Sequence, residues 1–194
     1  PELIGAFVSA GRHEAATAHL EAILVDEPDN TLARTLLGSV YMAQSRLDEA
    51  EDAYKLAAAH PESALGNSSL AKFYMATNEP ENAEATIRAG LAKEATNTGL
   101  QLMLTTILQQ EQRFDEAIAE YEIMFAADPD STIVANDLAS LLSERKGDPE
   151  SLDRAFEIAQ RFRTSEVPQY LDTLGWIYYL RGEYSSALPL LRNA

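Results

Sequence analysis

One alanine position returns six times along this chain, at Ala16, Ala50, Ala83, Ala117, Ala155 and Ala187. Each opens the packed face of a helix-period stripe, after a turn and a few acidic residues. The successive spacings are 34, 33, 34, 38 and 32 residues. A period near 34 means a stack of equivalent supersecondary units rather than a domain wrapped around a catalytic cleft. The function class this favours is a binding surface.

Twelve to thirteen residues before most of these alanines lies a second signature. It reads Leu37-Gly38-x-x-Tyr41, Leu70-Ala71-x-x-Tyr74, Leu104-Thr105-x-x-Leu108, Leu138-Ala139-x-x-Leu142 and Leu174-Gly175-x-x-Tyr178. A leucine, a small residue and a large apolar residue three positions on give one helical stripe. The small residue admits a second helix at close range, and the alanine of the following helix is expected to be the other half of that contact. Between the stripes stand turn signals: Gly11-Arg12, Ser45-Arg46, Asn78-Glu79-Pro80, Gln112-Arg113, Gly147-Asp148-Pro149 and Arg181-Gly182. Asp148 suits an N-cap and Pro149 the first helical turn. Pro28, Pro61, Pro129 and Pro168 are expected to end the second helix of a unit, because proline disfavours helix in the residue before it. The unit is therefore helix A, a tight turn, helix B and a proline-marked loop.

This pattern resembles the tetratricopeptide repeat (TPR) family over essentially the whole chain. Residues 31 to 61 carry its features as Leu37, Gly38, Tyr41, Ala50, Tyr54, Ala57 and Pro61, and residues 98 to 129 as Leu104, Ala117, Tyr121 and Pro129. The resemblance implies an all-α solenoid of antiparallel helix pairs wound into a right-handed superhelix. Six repeats are expected: a partial first over 1–30, then 31–63, 64–97, 98–131, 132–167 with an insertion, and a truncated last over 168–194. The chain departs from the family where an early tryptophan of helix A is replaced by Arg34, Asn67, Gln101, Ala135 and Leu171. About four extra residues around Glu144 to Pro149 should lengthen helix A of the fifth repeat or its turn. Pro189 should kink or fray the last helix B. A narrower likeness, to bacterial TPR proteins of exopolysaccharide and PEP-CTERM export systems, rests on three stretches. These are Asn136-Asp137-Leu138-Ala139, Leu171-Asp172-Thr173-Leu174-Gly175-Trp176 and Ala187-Leu188-Pro189-Leu190-Leu191.

Charge narrows the partners. The net charge of -16 disfavours nucleic acid and anionic membrane. The acidic residues gather in helix B and its approach, for example Asp48, Glu49, Glu51 and Asp52, where first-turn carboxylates favour the positive end of the helix dipole. They read as a solvated outer face or, more sharply, as a landing surface for a basic partner. A hydrophobic content of 46% suffices for one continuous core, and no apolar run approaches the length of a membrane span. Pro1 begins the chain inside a helix-A pattern and the last residues stop inside a helix B, so an excised piece of a longer protein is expected. The absence of cysteine removes disulfides and thiol catalysis and fits cytoplasm and periplasm equally.

In the family, A helices line the concave face. The resemblance places the fifth, ninth and twelfth positions of each repeat in the groove, at i, i+4 and i+7 of one stripe. Here these are Thr35, Ser39 and Met42; Ser68, Lys72 and Met75; Leu102, Thr106 and Gln109; Asn136, Ser140 and Ser143; and Asp172, Trp176 and Tyr179. Only Lys72 and Asn136 suit the family's Lys/Arg/Asn clamp on a C-terminal carboxylate, and they lie two repeats apart. A nearly neutral groove with methionines and aromatics suits an extended peptide or an amphipathic helix instead. Trp176 is either an exposed anchor or a packing residue that seals the stack. Asn136 is either a capture point for peptide backbone or a hydrogen-bond partner of a neighbouring helix. The two methionines, Met42 and Met75, are either groove or half-buried packing.

No catalytic constellation stands out. His13, His19 and His60 lack metal-ligand spacing, and there is no glycine-rich phosphate loop and no nucleophile elbow. The expected function is a non-enzymatic interaction scaffold, without cofactor or metal, that binds a protein or peptide in its groove. The competing reading is a structural spacer, or a segment that self-associates through apolar ends at Leu3, Ile4 and Phe7 and at Leu188, Leu190 and Leu191.

Overall fold

The computed structural model describes residues 1–60 and 64–194, less the side chain of Lys146. The described residues form twelve α-helices and no strand. They run α1 (Glu2–Ser9), α2 (His13–Asp26), α3 (Thr31–Ala43), α4 (Leu47–Ala58), α5 (Ala64–Ala76), α6 (Pro80–Lys93), α7 (Thr98–Gln110), α8 (Phe114–Ala127), α9 (Thr132–Leu141), α10 (Pro149–Ala159), α11 (Pro168–Leu180) and α12 (Tyr184–Asn193). The chain divides into two compact units, residues 1–107 and 108–194, with the division inside α7.

All six repeat alanines are buried, none more than 2% exposed, which places the sequence register on the packed face of helix B. The small residue of helix A meets something other than that alanine. A Cβ on Gly38 would stand 2.7 Å from the Tyr54 ring, and one on Gly175 would stand 2.8 Å from Leu191. Tyr54 and Leu191 each lie four residues, one helical turn, beyond the repeat alanine. The expectation of an alanine against the small residue is thus corrected by one turn. The alanine brings the helices together, and the residue after it fills the notch.

Each A-to-B turn carries one residue with a left-handed backbone: Gly11, Ser45, Asn78, Gln112, Gly147 and Gly182, with φ between 59° and 77°. In five of them the next amide reaches back to the carbonyl of the large residue of helix A. These bonds are Arg12 to Phe7, Arg46 to Tyr41, Glu79 to Tyr74, Arg113 to Leu108 and Glu183 to Tyr178, at 2.8 to 2.9 Å. The paired amide-to-carbonyl bonds satisfy the last carbonyls of helix A and fix the reversal. The turn signals of the sequence all fall here.

The insertion after Leu141 becomes a π-helical turn, Leu142–Lys146, ended by Gly147. Asp148 then caps α10 by accepting from the Ser151 amide at 3.0 Å, with Pro149 opening the helix. Pro28 and Pro129 follow the ends of α2 and α8 as expected, and Pro61 lies outside the described residues. Pro168 behaves differently: α10 ends at Ala159, a 3-10 helix covers Gln160–Thr164, and Pro168 opens α11. Nor does Pro189 fray the last helix, since α12 continues through it to Asn193. Where the family has its tryptophan, Asn67, Gln101, Ala135 and Leu171 are all buried. Asn67 packs on the Gly90 backbone, with 3.1 Å from its Cβ to where a Cβ on Gly90 would lie. Arg34 instead turns outward and donates to the Pro28 carbonyl.

Candidate functional site

In the first unit, α3 and α5 face a concavity of about 440 Å³. Ser39 and Met42 come from α3, and Ser69, Lys72, Phe73 and Ala76 from α5. Tyr54 of α4 reaches in from behind, and its hydroxyl lies 3.1 Å from Ser39 Oγ. The Tyr54 and Phe73 rings pack at 5.8 Å, so the hollow has an aromatic floor, a rim of hydroxyls and one ammonium. Burial is the first cause that pushes the Tyr54 phenol above its ordinary pKa, so it is a neutral hydrogen-bonding group here. A hollow of this kind takes an apolar side chain and offers polar groups to the backbone that carries it.

Of the groove residues expected from sequence, Ser39, Met42 and Lys72 line this concavity. Met75 is half-buried and outside its lining, and Ser68 donates to the Leu65 carbonyl at 3.0 Å. Thr35 is buried. Leu102 is half-buried, and the exposed Thr106 donates to its carbonyl at 2.8 Å. Tyr54, Ser69 and Phe73 were not singled out for the site. Tyr54 was legible as a packing residue of helix B, but its reach into the face of helix A is a tertiary fact.

A larger hollow of about 530 Å³ lies at the turns, lined by Gly11, Arg12, His13, Glu14, Gln44 and Arg46. It has no aromatic floor, and Arg46 is already bonded to Glu49 at 2.8 Å and to Gln44 at 3.0 Å. Among the described residues no group of His, Asp and Glu side chains is placed to hold a metal ion. No described helix is long and apolar enough to cross a membrane.

In the second unit the expected residues separate into buried and exposed sets. Asn136 is 3% exposed, with its amide between α9 and α11. Its Oδ1 accepts from Thr173 Oγ1 at 2.8 Å, and its Nδ2 donates to Asp137 Oδ1 at 3.2 Å. Ser143 is buried and donates to the Ser140 carbonyl. Gln109 donates to the Tyr121 hydroxyl at 3.4 Å, and that hydroxyl donates to Asp137 at 3.3 Å. Ser140 stands half-buried and Asp172 exposed. Trp176 and Tyr179 remain 40% and 46% exposed and stack on each other.

Antiparallel helix pairs, each with a buried alanine on helix B and a neighbour one turn on that fills a small-residue notch of helix A at Gly38 and Gly175, are the units of an α-solenoid. The family model for the tetratricopeptide repeat matches residues 4–64, and the helix pairs that follow repeat the same pattern. No curated protein sequence matches it. Among solved structures it is similar to PilF of Pseudomonas aeruginosa, at 16% identity and a TM-score of 0.68, covering 97% of this chain and 86% of that one. PilW, described as a widely conserved type IV pilus biogenesis factor, gives 22% identity and a TM-score of 0.63, covering 97% and 87%. A tetratricopeptide repeat protein from Parabacteroides merdae gives 19% and 0.65, covering 98% and 75%. At these identities the likeness is one of fold.

Proposed function

We propose that this chain is a protein-interaction scaffold that holds a peptide or protein segment against its A helices. The tetratricopeptide repeat is in general a protein-binding fold. The observation that carries the finer reading is the hollow between α3 and α5, where Tyr54 and Phe73 form an apolar floor under Ser39, Ser69 and Lys72. An apolar partner side chain gains by leaving water there, and the hydroxyls and the ammonium pair with its backbone, so binding needs no reaction. A protein or peptide partner, rather than nucleic acid, follows from the charge of -16. The scaffold works without catalysis, metal or cofactor.

A photoreactive residue at Ser39 tests this, with a second at the exposed Asp52 of α4 as comparison. Crosslinking of a partner segment from Ser39, lost on Phe73→Ala at unchanged helical content, is expected. Crosslinking from Asp52 alone, abolished by Asp48→Lys with Asp52→Lys, would move the interface to the acidic B-helix face. The competing reading, self-association, draws on Leu3 and Leu188, which are 51% and 53% exposed. Sedimentation that shifts with concentration and is abolished by Leu188→Lys would favour it.

A further inference from the structure

The second unit carries an exposed aromatic patch that the hollow between α3 and α5 does not use. Trp176, Tyr179 and Tyr184 are 40%, 46% and 63% exposed. The first two rings stack with centroids 5.1 Å apart and an angle of 19°, and Tyr184 packs on Tyr179 at 5.5 Å. Asp172 is exposed one helical turn before Trp176 on the same stripe, with no hydrogen-bond or ion-pair partner among the described residues. Helix α9 packs on α11, and the π-helical turn that follows α9 carries the exposed Glu144, whose carboxylate accepts only the Ser140 hydroxyl among the described residues.

Elsewhere this chain joins rings and carboxylates through arginine. Arg46 lies 4.4 Å over the Tyr41 ring while bonded to Glu49 at 2.8 Å. Arg181 lies 4.2 Å over Phe156 and bonds Glu183 at 2.9 Å. Arg154 lies 5.6 Å from the Phe125 centroid and bonds Glu122 at 3.0 Å. Trp176, Tyr179 and Asp172 bring together the same ring faces and carboxylate. Among the described residues no arginine or lysine lies over either ring.

We propose that this patch docks an arginine-bearing segment of a partner protein. A tryptophan face is the strongest of the aromatic cation sites, and a guanidinium stacks flat on it while its edge still donates to a carboxylate. An ammonium is more strongly hydrated and has no planar face, so lysine gains less from the same stack. The charge of -16 draws a basic segment towards the chain, and the ring stack with Asp172 selects where it rests. The inference rests on the scaffold reading and adds the chemistry of the partner at α11.

Trp176 is the single tryptophan of the chain, so its emission reports occupancy directly. The probe is an acetylated, amidated Arg-Gly-Arg peptide, titrated at about 0.15 M salt to screen long-range attraction, beside Lys-Gly-Lys and Glu-Gly-Glu. A saturable emission change with the arginine peptide is expected, at least about fivefold tighter than with the lysine peptide and absent with the glutamate peptide. Asp172→Asn and Tyr179→Ala should each weaken it about tenfold at unchanged circular dichroism. Asp48→Asn with Asp52→Asn, two charges removed from α4, should change it less than about twofold. Equal binding of the lysine peptide, or equal weakening by the α4 pair, would reduce the effect to general charge attraction and overturn the proposal. If it fails while Ser39 still crosslinks a partner, only the arginine assignment falls. If both fail, the scaffold reading falls with it.

Discussion

Gly38 and Tyr54 are a matched pair: the helix-A backbone at Gly38 passes so close to the ring that a Cβ would lie 2.7 Å from Cε1. Two effects oppose each other at Gly38→Ala. Alanine is the better helix former by about 0.5–1 kcal/mol. Overpacking against the ring, itself 6% exposed, costs on the order of 1–3 kcal/mol, so the clash wins. Thermal or urea unfolding should show Gly38→Ala destabilised. At Gly175 the near atoms include the flexible end of the half-exposed Leu191, which can yield, so Gly175→Ala should be close to neutral while Gly175→Leu is not tolerated. Equal losses at Gly38→Ala and Gly175→Ala would contradict this reading of the notch.

Left-handed backbone at Ser45 and Gln112 gives a stabilising substitution. Both sit at φ near 60°, where a Cβ is strained and glycine is not. Ser45→Gly and Gln112→Gly should each raise stability by about 0.5–1 kcal/mol, after the entropy cost of a freer unfolded chain. Asn78→Gly should gain less, because asparagine tolerates this region. A melting temperature lowered by the serine and glutamine variants would refute the argument.

Asn136 joins α9 to α11, and its replacement is expected to act on stability first. Asn136→Ala removes the buried amide that accepts from the half-buried Thr173 hydroxyl and should cost about 1–3 kcal/mol. Thr173→Val should lose about 1 kcal/mol and couple to Asn136→Ala in a double-mutant cycle. Additive losses would mean that the bond contributes nothing.

Acid should reveal the contact of α4 with α5. Tyr74 donates to Glu51 at 2.7 Å, and Lys55 pairs with the same carboxylate at 2.8 Å. The hydrogen bond from Lys55, and then that from Tyr74, holds the Glu51 carboxyl below its ordinary value of 4.5. Burial first, and the Glu51 bond second, push the Tyr74 phenol up to about 12. A carboxyl depressed on folding stabilises above its unfolded pKa, and the benefit fades as pH falls through the folded value. Glu51→Gln should therefore melt below the wild type at pH 7 and approach it below about pH 3. The pair is partly exposed, so the difference at neutral pH should stay under about 1 kcal/mol. A gap that widens in acid would reverse the sign of the argument.

Much of this molecule is written in local pattern. Period, helix-pair unit, buried alanines and the places of the turns follow from residue type at fixed spacing, because each is decided within a few residues of chain. The positions on the A-helix stripe were legible for the same reason, and Ser39, Met42 and Lys72 do border the hollow. Which of the stripe residues remain available was not legible. The neighbouring helix takes Asn136 through Thr173 and leaves Trp176 and Tyr179 in solvent, although all three sit on the A-helix stripe. Tyr54 enters the A-helix face only because Gly38 has no side chain to block it. Pro168 could equally close a helix or open one, and the 3-10 segment before it makes it an opening. Sequence by itself determined the repeating unit, since helix period, turn chemistry and small-residue notches act at short range. Tertiary structure decided which stripe residues stay exposed, since exposure depends on what a neighbouring helix, dozens of residues away in sequence, leaves uncovered.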